Sequence, residues 1–288
     1  MSKPQVKPEI SSLFMDFAQF FELSLALTDE QKADVYRVRY SVYCEEFGYE
    51  DPEAFLDDME TDTFDDQSIH CLVTHKSTGL PAGCVRLVTV EDSTRMPMED
   101  HCDGSLDADF FSHFESRRGS MAEISRLAVD GQFRRRRGEK ATRFGDTESL
   151  HFAAREKRTF SLIAVSLFLA AAAAADLMRR KDCFAIMEPF LPTILRRIGV
   201  TVERVGEDFE YKGVRAPYYL NIDEAIRSGP AELRLCYDVV RSQFAEILLP
   251  EGVRKVSKLR PAFGLNGLDS MRPGLPQLLK TMSPESQQ

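Results

Sequence analysis

The sequence predicts one α/β domain: a mixed sheet flanked by helices, with an extra helix near the C-terminus. Three observations carry that expectation. Strand-like and helix-like segments alternate through most of the 288 residues. Two neighbouring strand patterns, "SIHCLVTHK" and "CVRLVTVE", are joined by the turn "STGLPAG" and read as a β-hairpin. The most apolar stretch, Phe160 to Ala175, is Ala-rich and shorter than the roughly 18 to 20 residues of a membrane span, so it reads as a buried helix. Hydrophobic residues make up 43% of the chain, enough to fill a core.

The elements follow in order. Residues 1–17 are expected to be a loose tail. "FFELSLAL" (20–27) has strand character. Thr28 and Gln31 form a capping-box pair that opens a helix. Val35, Val38, Val42 and Tyr43 share one side of that helix, which ends near Phe47 with Gly48 at its C-cap. Residues 50–66 are acidic and irregular. After the hairpin, residues 92–119 read as a long excursion with short helices. "MAEISRLAV" is the third clear strand, and residues 131–159 are basic and polar. The Ala-rich helix then runs to about Arg180. "CFAIME" reads as a strand, "FLPTILRRIG" as a helix closed by Gly199, and "VTVERVG" and "EYKGVRAPYYLN" as two strands. A final amphipathic helix covers about 230–247. The expected organisation is a main domain over 18–228, a helical extension over 229–260 and a flexible tail over 261–288.

Composition excludes several classes. A formal net charge of −9 argues against nucleic acid as the main partner. The six cysteines include no CxxC and no zinc-finger spacing, and the five histidines form no HExxH pair, so no metal is expected. Six cysteines in a chain this long make no disulfide framework; reduced thiols and a cytoplasmic location are the default. The N-terminus shows no basic n-region followed by an apolar stretch, so no signal peptide is expected.

Several residues could carry chemistry. Arg37 and Arg39 lie in an amphipathic helix among Tyr36, Tyr40, Tyr43, Phe47 and Tyr49. They make either a solvated face with aromatic packing or a polar pocket walled by rings. Asp62 and Asp65 are either solvated loop residues or paired carboxylates that attract a cation or tune a proton acceptor. Arg86, on a hairpin strand with Cys84 and Val88 on its face, either snorkels from an edge strand or enters a site. Glu123 and Arg126 lie three apart in one strand. In a regular strand they face opposite sides, so a shared site requires a bulge or a splayed neighbour. They are a structural ion pair or a general base with an ordering arginine. Arg134, Arg135, Arg136 and Arg137 form a solvated loop, a nucleic-acid arm or a docking site for an acidic partner. Residues 130–158 hold nine basic and five acidic residues, an excess of +4 inside an acidic chain, which would steer an anionic partner there.

The order of these motifs carries a resemblance. Arg39, Tyr43, Tyr49, "ExDxFD" (Glu60 to Asp65), "GxxRL" (Gly83 to Leu87) and "EISRLAV" (Glu123 to Val129) resemble the acyl-homoserine-lactone synthases, relatives of the Gcn5-related N-acyltransferases (GNAT). The second half, from "CFAIMEPF" to "NIDEA", looks more like the exosortase (PEP-CTERM) system-associated acyltransferases, similar to N-acyl amino acid synthases. The likeness covers roughly residues 18–228. It implies a GNAT-like mixed sheet whose central strands splay into a cleft for the thioester arm of an acyl donor. It implies a bacterial acyltransferase with no tightly bound cofactor, whose donor is acyl-phosphopantetheine on acyl carrier protein rather than acyl-CoA. The acceptor would be a small amine-bearing metabolite. Glu123 and Arg126 would be catalytic, and Arg39, Tyr43, Tyr49, Asp62, Asp65 and Arg86 would bind substrate. Arg134 to Arg137 would dock the acidic carrier, and the Ala-rich helix would help wall an acyl tunnel. The sequence departs from the lactone-synthase pattern in having Tyr49 where tryptophan is typical, and in its added length. "RRRRGEKA" also lacks the second glycine of the usual phosphate loop. The first two departures weigh against lactone formation from S-adenosylmethionine and the third against coenzyme A as donor; the expected activity is N-acyl amino acid synthesis, with lactone synthesis or silent acyl binding as alternatives.

Overall fold

A computed structural model describes residues 10–91, 94–102, 104–134 and 159–249. A seven-strand path, β1-β2-β3-β4-β5-β8-β6, forms the sheet, and β7 pairs with β8 beside it. The strands are β1 (Phe21–Leu25), β2 (Ser68–His75), β3 (Pro81–Thr89), β4 (Met121–Val129), β5 (Asp182–Met187), β6 (Glu203–Arg204), β7 (Phe209–Glu210) and β8 (Val214–Asn221). β1 to β4 are antiparallel neighbours, β4 and β5 are parallel, and β8 runs antiparallel to β5.

The strand expected over "MAEISRLAV" is β4, residue for residue. Other elements differ from expectation. Residues 10–17, expected within a loose tail, begin helix α1 (Ile10–Phe20), whose Phe17 stacks on Phe21 at 5.0 Å. Helix α2 (Asp29–Tyr40) has the Thr28/Gln31 capping box, but it continues into a π-helical turn, Ser41–Glu46, before Gly48 at φ +62°. Such turns recur at functional sites, and this one carries Tyr43. The excursion holds α3 (Pro97–His101) and α4 (Ala108–Ser112), and α5 (Gly131–Arg134) follows β4. "VTVERVG" keeps only the two residues of β6, and in "EYKG" Glu210 ends β7 while Tyr211, Lys212 and Gly213 are the turn to β8 rather than strand. Beyond the Ala-rich helix α6 (Leu162–Leu177) come α7 (Leu191–Arg197), the unanticipated α8 (Ile222–Ser228) and α9 (Ala231–Leu248). The expected flexible tail and the end of the helical extension lie outside the described residues.

Strand alternation divides the packing. Val85, Leu87, Ala122 and Ile124 point to one face, where they join a single large core beneath α6 and α9. Ala170 to Ala175 are wholly enclosed there. Their small side chains let α6 approach the sheet closely. Gly83 belongs to this contact: a Cβ would meet the Ala128 carbonyl oxygen at 2.8 Å and Ile163 and Leu167 at 3.1 Å. The opposite face carries two smaller apolar clusters. One joins α2 to Leu72, Cys84 and Ala128; the other gathers Met96, Met98, Cys102, Phe114, Met121 and Phe184. The polar site lies between them.

Candidate active site

The sheet splits at its centre. β4 pairs with β5 only through Met121↔Asp182, Ala122↔Cys183 and Glu123↔Phe184, while β5 continues to Met187 against β8. Beyond Glu123, β4 has no strand partner on that side among the described residues. Glu123 therefore stands at the vertex of a V-shaped opening.

β4 is irregular on its other side as well. Its register with β3 slips between Cys84↔Ala128 and Arg86↔Ser125, so Arg126 and Leu127 together oppose Val85. Arg126 occupies the left-handed region at φ +51°, a conformation that costs a non-glycine residue about 1–2 kcal/mol. The bulge is one of the two devices the sequence allowed: it turns Arg126 toward the face that holds Glu123, Ser125 and Arg86.

Three arginines and three carboxylates meet there. Arg39, on α2, donates from Nε to Glu60 and from Nη1 to Asp65 Oδ1 at 2.6 Å. Arg86 donates from Nη1 to Asp62 and to Asp65 Oδ1 (2.9 Å), and from Nε to Ser125 Oγ (3.1 Å). Arg126 donates to Glu60 Oε1 (3.2 Å) and Asp62 Oδ2 (3.0 Å). The backbone N–H groups of Asp62 and Phe64 bond to Asp65 and Asp62, which fixes the acidic loop. Arg39 and Arg86 are fully buried, so Arg86 is no edge-strand arginine reaching solvent. β3 is a central strand. Burial alone would raise Asp65, but Arg39 and Arg86 outweigh it and hold the carboxyl at about 2. Burial drives His70, beneath Asp65, down to about 4, so it is neutral at pH 7.

Glu123 is tuned the other way. It does not pair with Arg126: among the described residues its one hydrogen bond is from the Met98 backbone N–H to Oε2, at 2.7 Å. Burial against the methionine–phenylalanine cluster raises its pKa to about 7, despite that bond and the more distant arginines. A carboxyl that changes charge near neutral pH, at the vertex of a cleft, can accept a proton from an incoming nucleophile.

The remaining expected residues form the rim. The Tyr43 hydroxyl donates to the Leu127 carbonyl at 3.1 Å, and its ring lies 5.9 Å from the Arg126 guanidinium. Tyr49 stacks on Phe47 at 5.0 Å, with Arg215 over its ring. Arg134 is engaged within the chain, ion-paired with Glu46 and bonded to the Val129 carbonyl. Arg135, Arg136 and Arg137 lie outside the described residues. Sequence reasoning did not assign Glu60, Ser125, His70, Met98, Glu50 or Lys212 to the site. Glu60 and Ser125 sat inside quoted motifs and could have been found there. Met98 acts through its backbone and left no side-chain signal. Among the described residues no cluster of histidine, cysteine and acidic side chains could hold a metal ion, and no helix is long and apolar enough to cross a membrane.

Residues 38–143 match the model of the acetyltransferase (GNAT) domain, and the splayed mixed sheet with a buried carboxyl at its vertex agrees with that class. With that match the chain is an acyl-transferring enzyme whose fold is GNAT-like. Among solved structures it is similar to TofI, determined in a ternary complex with an inhibitor and MTA. That match has 20% identity and a TM-score of 0.52, covering 74% of this chain and 96% of that one. It is also similar to FeeM, an N-acyl amino acid synthase from uncultured soil microbes, at 14% identity and TM-score 0.50, covering 73% and 94%. The AHL synthase LasI matches at 15% identity and TM-score 0.48, covering 75% and 94%. At these identities the likeness is one of fold. No curated protein matches the chain.

Proposed function

We propose that the chain is an N-acyltransferase that moves a long acyl group from acyl carrier protein to the amine of an amino acid or related metabolite. The observation that carries this reading is Glu123: buried at the splay point, held by one backbone N–H and poised near pH 7. The acceptor nitrogen attacks the thioester carbonyl carbon. A C–N bond forms, and backbone donors of β4 beyond the vertex stabilise the tetrahedral oxyanion. The C–S bond then breaks and the phosphopantetheine thiolate departs. Glu123 takes the proton lost by nitrogen and returns it to the thiolate or to water. The ion network positions Asp62, half-way to solvent, for the acceptor's ammonium end. The +4 segment supports an acidic carrier as donor; since Arg134 already holds Glu46, Arg135 to Arg137 are its docking residues.

The test is thiol release from acyl-carrier protein and from acyl-CoA in the presence of a panel of primary amines, with the N-acyl product identified by mass. Product formation with carrier-bound acyl chains, and a salt-dependent rise in donor KM when Arg135 to Arg137 are reversed in charge, supports the reading. Absence of any N-acyl product removes it. The fold shared with TofI, solved with MTA, makes S-adenosylmethionine the competing acceptor. Release of methylthioadenosine with that acceptor alone would assign lactone synthesis instead.

A further inference from the structure

The two halves of the sheet separate beyond Glu123, yet the turn between β7 and β8 reaches back across the gap. Its Tyr211 ring stacks on His101 of α3 at 4.3 Å. Its Lys212 ion-pairs with Glu50, at the foot of the acidic loop, and the nearby Arg215 lies over Tyr49 at 5.5 Å. Lys212 is held at φ +55°, next to Gly213 at +94°. It joins Arg126 as a non-glycine residue in the left-handed region beside the site, a conformation kept where surrounding structure enforces it. Both reach the same carboxylate: Arg126 Nη2 lies 3.8 Å from Glu50 Oε1.

The cations of the site are not equivalent. Arg39 is shared by Glu60 and Asp65, Arg86 by Asp62 and Asp65, and Arg126 by Glu60 and Asp62. Arg39 and Arg86 keep an Nη2 without a partner among the described residues, but both side chains are fully enclosed, so no ligand reaches those atoms without opening the network. Lys212 differs on both counts. Among the described residues it has one carboxylate partner, Glu50, and both side chains remain more than a fifth exposed. Burial pulls its ammonium below the ordinary lysine range, so a further anion beside it would be favourable.

We infer that Lys212 is the acceptor-selecting residue, exchanging Glu50 for the carboxylate of an acceptor whose amine lies toward Asp62 and Glu123. This rests on the N-acyltransferase reading and narrows it to amines that also carry an anionic group. It moves carboxylate recognition away from Arg39, Arg86 and Arg126, whose guanidiniums hold the enzyme's own acids.

The experiment compares kcat/KM for an amino acid with kcat/KM for the amine that lacks its carboxylate, in the wild-type chain, Lys212→Met and Glu50→Gln. Wild type should prefer the amino acid at least about tenfold, the order expected for one charge-assisted contact. Lys212→Met should bring that ratio close to one through the acceptor KM, and Lys212→Arg should restore part of it. Glu50→Gln removes the competing carboxylate and should lower the amino-acid KM, the opposite sign. If Lys212→Met lowers both acceptors equally, or Glu50→Gln raises the amino-acid KM as Lys212→Met does, the pair is a structural strut and the inference is overturned. If the wild-type chain acylates neither acceptor, the N-acyltransferase reading has failed, a result separate from a lost ratio.

Discussion

Two regions on one face of the sheet solve the same problem in opposite ways. The ion network buries Arg39, Arg86, Glu60 and Asp65 and reaches neutrality by pairing three guanidiniums with three carboxylates. A few residues away, Glu123 is equally buried but among the described residues bonds only to the Met98 N–H and packs on an apolar wall, and it approaches neutrality by keeping its proton. The contrast between Asp65 at about 2 and Glu123 at about 7 follows from what surrounds each carboxyl, not from depth. The first arrangement makes a rigid frame. The second makes a group whose charge changes near neutral pH.

The comparison breaks first at Glu123. Glu123→Gln keeps an acceptor for the Met98 N–H but cannot take a proton. Its kcat should fall by about 10²–10⁴, the usual contribution of a general base. The wild-type kcat/KM should rise with pH through about 7 as Glu123 ionises, and the variant should lose that limb. Steady-state thiol release between pH 5.5 and 8.5 measures both, and a retained limb would assign it to another group. The network breaks differently. Asp65→Asn leaves Arg39 and Arg86 with one negative charge too few in an enclosed space, and should cost about 3–5 kcal/mol of stability in urea unfolding at pH 7. A loss below about 1 kcal/mol would mean that the guanidiniums find compensation elsewhere. Asp65 is depressed, so its contribution is present above the unfolded pKa near 3.8 and disappears as pH falls toward 2.

How far the sequence revealed these regions depends on the range of the interactions. β4 was legible because its apolar run is bounded by turn residues. Even its irregularity was legible, since Glu123 and Arg126 could share a site only through a bulge or a splayed neighbour, and the structure has a bulge opposite Cys84 to Arg86. The pairing of Arg39 and Arg86 with Asp62 and Asp65 spans 21 to 26 residues, and periodicity cannot show it; only the order of motifs brought those residues together. Still less visible were contacts made through backbone or through short turns. The Met98 N–H has no side-chain signature, and Lys212 sat in a segment that alternation suggested was strand. Helix α1 was hidden because its apolar residues pack on β1 and α9, a tertiary gain that composition near a terminus does not announce.

The smallest effect sharpens the contrast, because it reads the two carboxyls as stability terms of opposite sign. Glu123 has a folded-state pKa near 7, above the value near 4.5 of an exposed glutamate. Below pH 4.5 the carboxyl is neutral folded or unfolded and costs nothing. Between 4.5 and 7 the unfolded chain releases the proton while the folded chain keeps it, so stability declines as pH rises and levels off above about 7. The full penalty at pH 8 is on the order of 3 kcal/mol. Glu123→Gln should therefore be more stable than wild type at pH 8 and nearly equal to it at pH 4.5, the reverse of the Asp65 dependence. Urea midpoints of both proteins at the two pH values decide it. Parallel shifts at both would mean that Glu123 is ionised and paired in the folded state, and the distinction between a paired frame and a proton-holding vertex would be lost.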